Sequence, residues 1–318
     1  MTLYKGKTIV LTLKFFVSAT LFVLLYYKFN GFKTLSANEA LSWAQRPLLL
    51  SFALLLMPLN WGLETVKWRL LLNQLQTYSW LELIKSVLCG LALSNLTPGR
   101  SGEFIGRALS TPNADKIKVS ELSIIGSWSQ QMCTLLFGLL AIALFAMKYL
   151  LPPYLMLASI FFALLLICIS LLYFGITNLA FYLIHKNAWP ILNSYLSLLS
   201  SLNLQLLCKT FLLSVIRYLC FSLQFYLIFK IFGIELQTIQ YLIAIPLIFL
   251  IGSYIPSFAL LELGVKTAVS IFILNLMGVN NYDNKILLAS SALWIINIAL
   301  PSVLGLILIW RIKFFQEE

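Results

Sequence analysis

A chain of 318 residues that is 61% hydrophobic and 10% charged, with mean hydropathy +0.93, has more apolar surface than a water-soluble domain keeps off its exterior. Its net charge of +11 comes from 22 Lys and Arg scattered singly between apolar segments, which fits membrane topology and anionic headgroups and argues against a nucleic-acid-binding face. Cys89, Cys133, Cys168, Cys208 and Cys220 stand apart in apolar runs and His185 is the one histidine, so no disulfide framework, metal site, cofactor or Ser-His mechanism is expected.

Taken in order, Lys5 and Lys7 precede an apolar run, Thr8 to Phe29, that is longer than the roughly 7 to 15 residues of a signal-peptide core. It reads as an uncleaved first span, followed by a polar loop to Arg46. Pro47 to Val66 is the second span, kinked by Pro58 and Asn60 and leaving the membrane through Glu64, Lys67, Trp68 and Arg69 as an aromatic and basic rim. Leu81 to Asn95 is too short to cross and breaks at Pro98 and Gly99; Glu103 to Ser110 resumes a helical pattern. Val119 to Met147 and Pro153 to Ile176 are full spans, 177–207 is expected to lie on the membrane surface, and Lys209 to Phe232 is a span with Arg217 inside it. Thr238 to Ile255 breaks at Pro256 and resumes at Glu262 to Leu276; Lys285 to Trp310 is the last span.

The expected fold is therefore all-α, a single integral membrane domain over 1–318. It has about six full spans plus two re-entrant broken helices, at about 81–110 and 238–277. If both broken segments return to their own side and the N-terminus is cytoplasmic, twelve Lys and Arg fall inside, Lys67 and Arg107 among them, and six outside. That bias supports cytoplasmic N- and C-termini. The two hairpins then enter from opposite sides, as in an inverted repeat; eight full crossings have the same parity.

The run from Leu93 to Ser110 places Asn95, Thr97, Arg100, Ser101, Glu103 and Arg107 in an otherwise apolar chain. Ionisable groups at membrane depth face a bundle interior or a wet cavity, which makes the run a candidate site. After each break an acid opens a helix and a base follows four residues later: Glu103 with Arg107, and Glu262 with Lys266. Such a pair either makes a half-helix tolerable in lipid or contacts substrate directly. Arg100 lies in the break between Gly99 and Gly102, where a guanidinium beside free loop amides suits a phosphate. Arg217, mid-span, requires a cavity or an acid such as Glu103, Glu262 or Glu64. Gln130 and Gln131 are expected to bond between helices.

The stretches P-G-R-S-G-E-F-I-G-R at 98–107 and I-P-S-F-A-L-L-E-L-G-V-K at 255–266, with M-G-V and P-S-V-L-G-L near the end, resemble the lysylphosphatidylglycerol synthase transmembrane family, a flippase-like membrane domain. The likeness covers nearly the whole chain. Lys266 stands where arginine is expected, Phe258 and Ala259 replace paired glycines, and Gln130 and Gln131 replace an acid and a base. What the resemblance implies is lipid translocation in a bacterial inner membrane, with the broken helices lining a cavity for an anionic headgroup. The candidate contacts are Asn95, Arg100, Ser101, Glu103, Arg107, Arg217, Glu262 and Lys266. It does not imply lysyl transfer, since only eight residues follow Trp310 and a soluble aminoacyl-transferase domain is not expected. The substrate is expected to be an anionic phospholipid or a polyprenyl phosphate, and a homo-oligomer is compatible with it. Two other readings stay open: an integral-membrane enzyme acting on lipid headgroups, with Glu103 or Glu262 as base, and a non-transporting partner of a separate lipid synthase. Against an enzyme stands the lack of a nucleophile with an adjacent base.

Overall fold

The computed structural model describes residues 42–95, 97, 101–149, 153–186, 193–255 and 259–310. The expected first span, Thr8 to Phe29, lies outside the described residues, as do Pro98, Gly99, Arg100, Pro256 and Phe258 at the two breaks. Every regular element among the described residues is helical.

After a 3-10 turn at Ser42–Gln45, α1 covers Pro47–Leu72. Pro47 opens it, where a missing N–H leaves no bond unmade. The helices α2, Trp80–Ser94, and α3, Gly102–Ser110, follow. Next come α4, Lys116–Lys148, α5, Pro153–His185, the short α6, Asn193–Ser201, and α7, Leu204–Ile231. Then α8, Thr238–Tyr254, and α9, Ala259–Leu276, flank the second break. The chain continues through α10, Asp283–Trp294, a π turn at Ile295–Ala299, and α11, Leu300–Trp310. Pro301, just past that turn, lacks the N–H an α-helix would use there, a cause of local departure from regular helix.

Among the described residues, five stretches are long and apolar enough to cross a membrane: α1, α4, α5, α7 and the run Asp283–Leu308. These are the five expected spans that fall on described residues. A 26-residue helix such as α1 rises about 39 Å, enough for a hydrocarbon core of about 30 Å. Two boundaries differ from expectation. The helix expected to end near Ile176 continues to His185, through the first part of the segment placed at the surface. Thr177 sustains it by donating from Oγ1 to the Leu202 carbonyl at 2.8 Å, which ties the end of α5 to the chain before α7. The second span runs on to Leu72, so the expected rim is a continuation of helix.

Two apolar cores hold the bundle. One gathers Ile243, Ile248 and Leu250 of α8 with Phe225 and Phe229 of α7, Leu135 of α4, and Ile273 of α9. The other packs Trp68 and Leu71 of α1 against Leu83 of α2, Leu122 of α4 and Tyr173 of α5. The outer faces of α5 are the reverse: Leu157, Leu164 and Leu171 are exposed, as a helix apolar all round requires when lipid is its solvent.

The pair α2 and α3 forms a tight antiparallel hairpin because at two of its contacts a glycine of α3 meets the backbone of α2. A Cβ on Gly102 would lie 2.2 Å from the Leu93 carbonyl oxygen, and one on Gly106 would lie 2.6 Å from that of Cys89. The outer side of α2 is equally close to α11, where a Cβ on Gly305 would lie 2.2 Å from the Leu88 carbonyl oxygen. Small residues at such positions let helix backbones approach and gain dispersion contacts that lipid does not replace. The start of α2 is set by a capping box: the Ser79 backbone N–H donates to Glu82 Oε2 at 2.8 Å while Ser79 Oγ accepts from the Glu82 N–H at 3.4 Å. Ser79→Ala is expected to lower stability by about 1 kcal/mol, seen as a lower melting temperature in detergent with unchanged oligomeric state.

Candidate functional site

The polar face of α1 repeats at helical spacing: Asn60, Glu64 and Lys67 stand at i, i+4 and i+7 and so share one side of the helix. That side is turned inward. Asn60, Glu64, Lys67 and Arg107 are 0%, 2%, 1% and 2% exposed, so Glu64 and Lys67 are interior groups and not an outward rim. Lys67 and Arg107 accordingly leave the count of headgroup-facing charges.

Glu64 is the centre. Its Oε2 lies 2.8 Å from Lys67 Nζ and 2.8 Å from Arg217 Nη1, and its Oε1 accepts from Arg107 Nη2 at 2.6 Å. Arg107 also pairs with Glu103 one turn away on α3, and its guanidinium lies over the Trp68 ring at 4.6 Å. Arg217 donates from Nε to Asn60 Oδ1 at 2.7 Å and from Nη1 to Gln130 Oε1 at 3.4 Å. Its guanidinium faces Trp61 and Phe221 at 5.2 and 5.6 Å. Lys67 Nζ donates to the Gly126 carbonyl at 3.2 Å and to Ser214 Oγ at 3.5 Å, and Ser214 bonds to Ser129 at 2.7 Å. The cluster therefore joins α1, α3, α4 and α7.

Charge decides what it can hold. Glu64 and Glu103 face Lys67, Arg107 and Arg217, which leaves one positive charge in surplus. Three N–H groups beside them, Asn60 Nδ2, Trp61 Nε1 and Arg107 Nε, have no hydrogen-bond acceptor among the described residues. Buried polar groups are normally satisfied, and surplus cations with spare donors call for an anion. The side is not sealed: the Glu103 and Arg217 side chains keep 25% and 13% of their surface.

Of the residues expected from sequence, Glu103, Arg107 and Arg217 come together here, and Arg217 takes Glu64 from its three possible acids. Gln130 joins by its weaker bond to Arg217. Asn95 ends α2 and donates to Ser302, which ties the end of α2 to α11. Ser101 is exposed at the start of α3, and Arg100 lies outside the described residues. Glu262 and Lys266 form an i,i+4 pair of 2.8 Å on α9, as the spacing anticipates. Sequence reasoning missed Glu64, Lys67 and Asn60 as a site; the i, i+4, i+7 spacing inside an apolar helix was the signal that could have found them.

Five apolar spans among the described residues, three of them (α1, α4 and α7) enclosing a net-positive polar cluster, define a multi-pass membrane protein with an internal charged site. Residues 11–305 match the family model described as lysylphosphatidylglycerol synthase TM region, and the chain belongs to that family. Comparison with curated proteins and with solved structures gave no match.

Proposed function

We propose that this protein binds an anionic lipid by its headgroup and moves it between leaflets of a bacterial inner membrane, with its N-terminus in the cytoplasm. The observation that carries the reading is the buried cluster with three cations, two carboxylates and unused N–H donors. Family membership supports a lipid-related role. The pairs α2–α3 and α8–α9 act in this reading as re-entrant halves of an inverted repeat. The chemistry needed is recognition alone: a phosphate neutralises the surplus charge, and its departure restores the attraction between Arg217 and Glu64.

Arg217 is the residue to change first. Its removal leaves Lys67 and Arg107 opposite Glu64 and Glu103, a balanced set, so the bundle keeps its charge pairing while losing its surplus. Arg217→Ala in proteoliposomes is expected to slow transbilayer movement of labelled phosphatidylglycerol about tenfold or more, the equivalent of one charge-assisted hydrogen bond of roughly 1.5–3 kcal/mol. Unchanged rates would overturn the reading. Conversion of the labelled lipid to a new species would favour an enzyme acting on headgroups instead, with Glu103 as base.

A further inference from the structure

A groove of about 260 Å³ opens between α1 and α7, lined by Phe52, Leu55, Leu56 and Leu59 on one side and Leu223 and Leu227 on the other. Beside it the two helices are bonded to each other: Gln224 Nε2 donates to the Ala53 carbonyl at 2.8 Å, and Cys220 Sγ to the Leu56 carbonyl at 3.5 Å. Ala53 and Gln224 are 0% exposed, so the groove is walled by Phe52 and leucines, and the Gln224 and Cys220 side chains tie α7 to the α1 backbone beneath it. One turn beyond Leu56 and Leu59 stand Asn60 and Glu64, and one to two turns before Leu223 stands Arg217. The apolar slot thus lies within one to two helical turns of the charged cluster.

We infer that the α1–α7 groove is the hydrocarbon subsite of this site, holding one acyl chain of an anionic glycerophospholipid whose phosphate pairs with Arg217. The inference rests on the lipid-binding reading above. From Phe52 to Leu59 the helix rises about 10 Å, the upper part of one chain; the slot is open along its side, so the second chain stays in the bilayer. The choice of occupant follows from energetics. Lipid tails are as apolar as leucine, so an open slot gains little hydrophobic energy over bulk bilayer. Occupancy then follows the abundance of the chain and the charge at its end. Abundance selects the glycerophospholipids of the bilayer itself, and the surplus cation selects the anionic ones among them.

The test uses the full chain in nanodiscs with phosphatidylglycerol or phosphatidylcholine, each carrying a photoactivatable group on an acyl chain, and maps the crosslinks by mass spectrometry. Crosslinks are expected to concentrate on peptides bearing Leu55, Leu59, Leu223 and Leu227, several-fold more with phosphatidylglycerol than with phosphatidylcholine, and Arg217→Ala is expected to abolish that preference. Leu223→Trp, which fills the slot from an exposed position, is expected to displace the label; Leu164→Trp, on the lipid-facing side of α5, is the control expected to leave it in place. Crosslinks spread evenly over Leu157, Leu164 and Leu171 as well would overturn the subsite while leaving the headgroup reading intact, provided phosphatidylglycerol still binds in preference. Equal binding of the two lipids would sink the headgroup reading itself. Concentration in the slot only with a polyprenyl-phosphate probe would assign the groove to an isoprenoid chain and overturn the acyl assignment, and a slot unlabelled by any probe would overturn the subsite.

Discussion

Replacing Glu64 with glutamine is expected to be the most damaging single change in this protein, lowering stability by about 3–5 kcal/mol, the usual result of removing one partner from a buried ion pair. Three cations, Lys67 and Arg107 buried and Arg217 largely so, share this one carboxylate, at 2.8, 2.6 and 2.8 Å. Without it Lys67 and Arg217 lose their only acid among the described residues, and Arg107 retains Glu103 alone. Glutamine preserves shape and one acceptor, so the loss reports charge and not volume. Melting of detergent-solubilised protein measures it. Adding Lys67→Met to Glu64→Gln is expected to recover part of the loss, because the second change removes a cation that the first left unpaired. A Glu64→Gln protein that melts with the wild type would mean that the cations are held by something other than this carboxylate.

A second large effect is expected at Gly106, for steric reasons that reach the same site. A Cβ there would lie 2.6 Å from the Cys89 carbonyl oxygen and 2.7 Å from the Gly90 Cα, and backbone cannot yield as a flexible side chain does. Gly106→Ala must therefore part α2 from α3, at a cost of about 1–3 kcal/mol or more, and it shifts the neighbouring Arg107 off Glu64. Loss of both melting temperature and lipid movement is expected. Gly175, in α5, has nothing within 4 Å of its Cβ position, so Gly175→Ala is expected to raise stability by roughly 0.5–1 kcal/mol through helix propensity alone. If the two substitutions behaved alike, close packing of the hairpin would not be the explanation.

Glu103 shows how one residue can satisfy both ways of reading a membrane carboxylate. It pairs with Arg107 one turn on, as the i,i+4 spacing anticipates, and yet a quarter of its side chain stays open beside a cluster with positive charge to spare. Lys67 shows the opposite case. A lysine after an apolar run followed by tryptophan and arginine has the look of a headgroup anchor; only the neighbours from α4 and α7 make it an interior group.

The spans, their breaks and the helical class were legible from the amino-acid order, because in a bilayer the length of an apolar run and the position of proline and glycine are local quantities that need no knowledge of neighbours. The acid–base pairs opening α3 and α9 were legible for the same reason, since four residues of helix bring them together. Which acid answers Arg217 was not. Asn60 and Arg217 are 157 residues apart in the chain, and their meeting depends on the close antiparallel packing of α1 and α7 through Ala53, Leu56, Cys220 and Gln224. That packing turned a row of polar residues on α1 into the centre of the site, because burial and charge balance belong to the set of helices around a side chain and not to the helix that carries it.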